Sequence, residues 1–192
     1  MRILGVVCSP RKEGNTEVLV KEALEAAREA GSQTELFLVA DKNISPCDGC
    51  GACQKDGICK IKDDMQELYQ QMEQADGIIF GTPVYFFSVT AQAKAIMDRT
   101  YALLRGRKLR GKVAGVIVVA RIVGVGQALS LLYTYFTFHR MIIARGGIGY
   151  GTERGEVRQS KSSYLPVSAL EEARAVGKSV ARLGKQLLRG KS

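Results

Sequence analysis

"RILGVVCSPRKEGNTEVLVKEALEAAREAG", residues 2–31, sets the pattern that the rest of the chain repeats. Residues 2–8 are a short apolar run of the kind that forms a strand buried on both faces. Residues 16–30 place Val18, Leu19, Ala23, Ala26 and Ala27 on one helical face and stop at Gly31. Further strands are expected over 33–39, 77–83, 112–119 and 140–146, and further helices over 63–75, 88–104, 126–139 and 168–189. An irregular, glycine-rich segment (146–166) leads to the last helix.

Strands alternating with helices form a parallel sheet covered by helices. Five of them predict an α/β protein with a doubly wound parallel sheet, most simply in the flavodoxin-like order 2-1-3-4-5. The expected organisation is one domain, 1–192, with a cysteine-rich loop (46–60) inserted after strand two. Ligands of such sheets sit outside the carboxyl ends of the strands, so the loops after strands one, three and four carry the chemistry.

The composition, 46% hydrophobic and 24% charged, is that of a globular protein. No apolar run approaches the roughly 20 residues that span a bilayer, so no membrane association is expected. The first strand gives way at once to Arg11, Lys12 and Glu13, unlike a signal peptide, and the expected compartment is the cytoplasm. The net charge of +9 concentrates in "RGRKLRGK" (105–112) and in the last helix, where Arg174, Lys178, Arg182, Lys185 and Arg189 share a face. No aromatic residues interleave these basic groups, which argues against nucleic acid. Two readings remain: a solvated face, or attraction of an acidic redox partner or a phosphorylated cofactor.

The loop "CSPRKEGNTE" (8–17) ends at a helix N-terminus, where unpaired amides and the helix dipole favour an anion. Ser9, Asn15 and Thr16 can add donors and Arg11 a charge. The motif is neither that of dinucleotide binding nor that of nucleotide triphosphatases, which leaves a mononucleotide phosphate or a plain capped turn. After strand three, "GTPVYFFSVTAQAKAIMDR" (81–99) sets Pro83 and Val84 before the consecutive aromatics Tyr85, Phe86 and Phe87. These either cover a flat ring or form an apolar rim or subunit contact. After strand four, "ARIVGVGQ" (120–127) offers Arg121 and Gly124 to a ligand.

Four of the five cysteines crowd into "PCDGCGACQKDGIC" (46–59) as Cys47-x2-Cys50-x2-Cys53-x5-Cys59. A compact run of this kind suits a four-iron cluster, and Gly49, Gly51 and Gly57 let the chain wrap closely. Structural zinc usually takes two separated pairs, but zinc, a disulfide or free thiols remain as other readings. Cys8 stands apart as a buried small apolar residue. His139, the only histidine, has no serine or aspartate constellation around it and reads as a surface or packing residue.

"SPRKEGNT", "TPVYFFSVTAQAKAIMDR" and the cysteine spacing together resemble the iron–sulfur flavoproteins, within the NAD(P)H-dependent FMN reductase branch of flavodoxin-like proteins. The likeness covers roughly residues 1–145. It implies that Ser9, Arg11, Asn15 and Thr16 hold the phosphate of FMN and that Pro83, Val84, Tyr85, Phe86 and Phe87 lie along the isoalloxazine ring. It implies that Cys47, Cys50, Cys53 and Cys59 ligate a [4Fe–4S] cluster, and that the chain forms a homodimer or homotetramer. At "ARIVGVGQ" relatives are often richer in glycine, so Arg121 and Gly124 are candidates of a weaker kind. The function expected is an oxidoreductase passing electrons between cluster and FMN, from ferredoxin or a similar acidic carrier to a small acceptor such as oxygen, peroxide or a quinone. The rivals are an NAD(P)H-dependent FMN or quinone reductase, and a non-catalytic metal-binding sensor.

Overall fold

A computed structural model describes residues 1–159 and 167–190. Its strands are β1 (Arg2–Val7), β2 (Gln33–Leu38), β3 (Gly77–Pro83), β4 (Val113–Ala120) and β5 (Ile142–Tyr150). All pair in parallel, in the order β2-β1-β3-β4-β5 that the sequence predicts. The helices are α1 (Asn15–Glu29), the single turn α2 (Cys53–Asp56), α3 (Met65–Gln74), α4 (Ala91–Arg99), α5 (Tyr101–Arg105), α6 (Val125–Phe138) and α7 (Ala169–Arg189).

Side chains alternate across the strands, so the sheet carries an apolar layer on each face. Ile3 and Val7 of β1 join Val20 of α1 and Val176 and Val180 of α7. Leu4 and Val6 join Leu68, Phe80, Ile96, Leu132 and Phe136 on the opposite face, beneath α3, α4 and α6. The α1–α7 layer lies close to the sheet because the strands place glycines beneath it. A Cβ at Gly81 would stand 2.4 Å from Val20, and one at Gly115 2.7 Å from Val180. At Gly177 it would stand 1.9 Å from the Ala23 carbonyl oxygen, so α1 and α7 meet backbone to backbone.

Three boundaries differ from the sequence reading. The helix expected over 88–104 breaks into α4 and α5 at Thr100, whose hydroxyl bonds the Met97 carbonyl at 2.7 Å and competes with the helical ladder. Strand β5 runs on to Tyr150 rather than ending at 146. Glycine ordinarily weakens a strand, but Gly147 and Gly149 lie under Val176 and Leu19, where any side chain would collide. The irregular segment is correspondingly shorter, and its residues 160–166 lie outside those described. The last helix opens with a capping box between Ser168 and Glu171.

Much of the positive charge is engaged within the chain. Arg174 reaches Glu22 at 2.7 Å and also Glu29, tying α7 to α1. Lys108 pairs with Glu73 at 3.0 Å, and Arg105 donates to the Gln54 carbonyl at 2.6 Å. Among the described residues no helix is long and apolar enough to cross a membrane.

His139 is a packing residue, 6% exposed, with Nε2 3.1 Å from the Thr100 hydroxyl and its ring against Tyr135. Burial lowers its pKa to about 4. The unfolded chain, with an ordinary histidine value near 6.5, therefore binds the proton more readily than the folded one. The stability conferred by neutral His139 is fully present above about pH 6.5 and is lost as pH falls towards 4, by roughly 2–3 kcal/mol. Denaturant melts of wild type and His139→Gln across this window check it: the variant should be less stable at pH 7, with a flatter pH profile.

Candidate functional site

A cavity of about 230 Å³ opens at the carboxyl end of the sheet. The β1–α1 loop forms one wall with Ser9, Arg11, Gly14, Asn15 and Thr16. The end of β3 and the turn after it contribute Pro83, Val84 and Tyr85, and the end of β4 contributes Arg121. Eight of the expected site residues thus line one space. Val119 and Ala120 of β4 and Gly151, Thr152, Glu153 and Arg154 complete it, and the sequence reading assigned none of these to the site. The one signal for residues 151–154 was the series Gly146, Gly147, Gly149 and Gly151 around Tyr150, a permissive loop expected near this end of the sheet but with no assigned use.

The β1–α1 wall is built to receive an anion. The N-cap of α1 is Gly14, which supplies no side-chain cap, whereas Thr90 caps α4 and Ser168 caps α7. Ser9, Asn15 and Thr16 are all buried. The Ser9 hydroxyl accepts the Arg11 amide at 3.1 Å and shapes the turn. Asn15 donates through Nδ2 to the Glu153 carbonyl at 2.8 Å, which locks the β5 loop to α1. Its buried Oδ1 meets no hydrogen-bond partner. An unpaired buried acceptor costs free energy unless a ligand donor reaches it, so Oδ1 calls for a ligand hydroxyl or amide, while the anion is left to the second Nδ2 hydrogen, the Ser9 and Thr16 hydroxyls and the first amides of α1. Glu156 closes the β5 loop by accepting the amides of Thr152 and Glu153, which hold its carboxyl below the ordinary range.

After β3 the chain reverses at Tyr85–Ser88, whose backbones exchange hydrogen bonds of 2.9 and 3.1 Å. Phe86 and Phe87 both take positive φ, 45° and 64°, as the centre of a tight hairpin turn. Such a conformation costs a bulky residue about 1–3 kcal/mol and persists where the surroundings enforce it. Part of the enforcement is Gly124 (φ 93°), where a Cβ would stand 2.7 Å from Val84 and 3.0 Å from the Phe87 Cα. Gly124 therefore supports the turn from beneath, outside the cavity wall. Phe86 is 97% exposed, and Phe86 and Phe87 also stand outside the wall, their rings edge to face.

The second feature is the cysteine loop between β2 and α3. All its thiols are free. Cys47 and Cys50 are exposed, while Cys53 and Cys59 are half-buried and pack on the core under α3 and α4. Gly49, Gly51 and Gly57 take φ of 70° to 79°, the left-handed turns the wrapping needs. Partial burial pushes the Cys53 thiol up, and the nearby Cys59, Cys47 and Cys50 push it further. Four thiolates this near one another repel, and a cationic centre among them relieves the repulsion. Among the described residues no three Cys, His, Asp or Glu side chains stand arranged to hold a metal, so the sulfurs are neighbours rather than a closed cage. The donor set itself, four soft thiols on one loop, suits an iron–sulfur cluster. Cys8 is wholly buried, and burial raises its pKa well above the usual value.

Residues 1–153 match the NADPH-dependent FMN reductase family. An iron–sulfur flavoprotein of Methanocaldococcus jannaschii is 40% identical over 195 residues, covering 96% of this chain and 98% of that one. One of Archaeoglobus fulgidus is 39% identical over 190 residues, covering 96% of each. The chain belongs to the iron–sulfur flavoprotein branch of that family. Among solved structures, RosB crystallised with 8-demethyl-8-formylriboflavin-5′-phosphate has a TM-score of 0.78 at 16% identity, covering 100% of this chain and 82% of that one. That likeness is one of fold alone.

Proposed function

We propose that the protein is a flavin-dependent oxidoreductase that transfers electrons between a [4Fe–4S] cluster and FMN. The observation that carries this reading is that one chain combines an uncapped helix N-terminus opening on a cavity with four free thiols gathered on one loop. When bound, FMN supplies one- and two-electron exchange and the cluster one-electron exchange, so electrons collected singly can be delivered singly or in pairs.

The residues do the holding. Ser9, Asn15, Thr16 and the first amides of α1 bind the phosphate, and Arg11 neutralises part of its charge. Pro83, Val84 and Tyr85 would line the ring, beside the turn through Phe86 and Phe87 that Gly124 supports, and Arg121 would offer a charge from the end of β4. Cys47, Cys50, Cys53 and Cys59 hold the cluster. Glu153 is the one carboxylate residue among those lining the cavity, and no histidine lines it. Positioning and burial, rather than a protein acid or base, are therefore what the chain contributes.

The electron donor in this reading is ferredoxin or a similar acidic carrier, and the acceptor a small molecule such as oxygen, peroxide or a quinone. The family's own description favours a second reading, in which NADPH reduces the flavin directly. Oxygen-free rapid mixing separates them. A reduced ferredoxin should bleach the flavin at least about tenfold faster than NADPH at equal concentration, and the preference should shrink as salt screens the attraction. NADPH outpacing the carrier would establish the second reading instead.

A further inference from the structure

Arg99, the last residue of α4, is 2% exposed and yet charged. Its Nη1 donates to Asp63 Oδ2 at 2.8 Å and to the Ser45 carbonyl at 2.9 Å. Its Nη2 donates to Asp63 Oδ1 at 3.0 Å and, more weakly, to the Ile61 carbonyl at 3.4 Å. Asp63 accepts in addition the amides of Ser45 at 2.9 Å and Met65 at 3.1 Å. Burial works against this carboxylate, but the fork and the two amides overcome it and hold its pKa below the ordinary value. Gln66 reinforces the same strand of chain through the carbonyls of Ile61, at 2.7 Å, and Cys59, at 3.3 Å.

These partners are not scattered. Ser45 lies just before Cys47, and Ile61 just after Cys59. One guanidinium therefore joins the entry and the exit of the cysteine loop and fastens both to the core. Between these ends the loop is held by the Arg105 bond to the Gln54 carbonyl and by Cys53 and Cys59 packing on the core, while Cys47 and Cys50 are exposed and Gly49, Gly51 and Gly57 make its turns. A buried ion pair is a poor device for stability alone, because apolar residues of the same volume do as well or better. A planar fork with several donors is, by contrast, well matched to two carboxylate oxygens and two carbonyls at once. The Tyr69 hydroxyl donates to the Arg99 carbonyl at 2.8 Å, and Cys59 lies within electrostatic reach of both residues.

We infer that Arg99 is the positioning residue of the cysteine loop, closing its two ends so that the four thiols are gathered before metal arrives, and balancing the Asp63 carboxylate so that no net negative charge stands beside the cluster. The second part rests on the reading that the thiols hold a redox cluster; the first does not. Loss of Arg99 leaves that carboxylate unbalanced, and an unbalanced negative charge disfavours the more negative, reduced state of such a cluster, as outer groups around metal sites do.

Arg99→Met and Arg99→Lys, purified without oxygen, test it, with FMN content reporting that the fold is intact. Trypsin reports loop order in the iron-free proteins, because Lys55, Lys60 and Lys62 are exposed on the loop. Arg99→Met should keep FMN, be cut at these lysines roughly tenfold faster than wild type, and take up less than about half the iron on reconstitution. Arg99→Lys should recover most of the uptake and a near wild-type potential. The residual cluster of Arg99→Met should be harder to reduce, with a reduced-to-oxidised ratio about tenfold lower at fixed poise, equivalent to 59 mV for one electron. Cutting, uptake and potential all unchanged in Arg99→Met would overturn the inference. If that variant loses FMN as well, Asp63→Asn decides by tryptic cutting and iron uptake, and wild-type protection in it overturns the clamp. A wild-type protein that takes up no iron would instead remove the cluster assignment, while the tryptic comparison would still judge the clamp.

Discussion

Cys53→Ala is expected to strip the protein of nearly all its iron while leaving FMN bound. A four-iron cube requires a thiolate at each corner, and the loop offers four in Cys47, Cys50, Cys53 and Cys59. The fifth cysteine is no substitute. Cys8 is wholly buried at the end of β1, and burial favours its protonated form. Cys53 also stands at the start of α2 and packs on the core, so in this reading its loss removes one of the two ligands with the least freedom to be replaced. The residues lining the cavity proposed for FMN share none with the loop, which is why the flavin should stay. Iron and acid-labile sulfide should fall from about four of each per chain to below about one. Retention of four irons would remove Cys53 from the ligand set.

The second large effect belongs to the phosphate wall. Asn15→Ala combined with Thr16→Val should weaken FMN at least about a hundredfold, since hydrogen bonds to a charged group contribute about 1.5–3 kcal/mol each. Riboflavin, which lacks the phosphate, should lose no more than about threefold. That residual loss is expected because Asn15 also ties down the β5 loop through the Glu153 carbonyl. Titration of the flavin-free variant with each ligand measures both values. Equal weakening of FMN and riboflavin would place the phosphate elsewhere.

Much of this architecture could be read from residue order. Apart from exposed Arg2 and half-buried Pro83 at their ends, the strands Arg2–Val7, Gly77–Pro83 and Val113–Ala120 are buried throughout, and the parallel order follows from their alternation with helices. The β1–α1 and β3–α4 loops were legible because helix starts and strand ends fix where their side chains can go. What escaped detection depended on long-range packing. The length of β5 is set by α1 and α7 lying on its glycines, which local propensity cannot anticipate. The Thr100 break reflects a hydroxyl shared among Met97, Tyr135 and His139, contacts made across the fold. Residues 151–154 reach the cavity only because β5 is long. Arg99 stands outside the sequence reading for the same reason, since its partners lie 36 to 54 positions earlier in the chain. Phe86 and Phe87 were read either as covering a flat ring or as an apolar rim or subunit contact, and the tight turn sets them outside the cavity wall with Phe86 almost fully exposed, a geometry that one residue's environment cannot reveal.

The most direct test of the central claim is an oxygen-free preparation analysed for iron, acid-labile sulfide, zinc and flavin, with its absorption spectrum. The account predicts a brown protein with flavin bands and about four irons, four sulfides and one FMN per chain. A yellow protein that takes up no iron on anaerobic reconstitution, or a colourless one holding zinc, would contradict it.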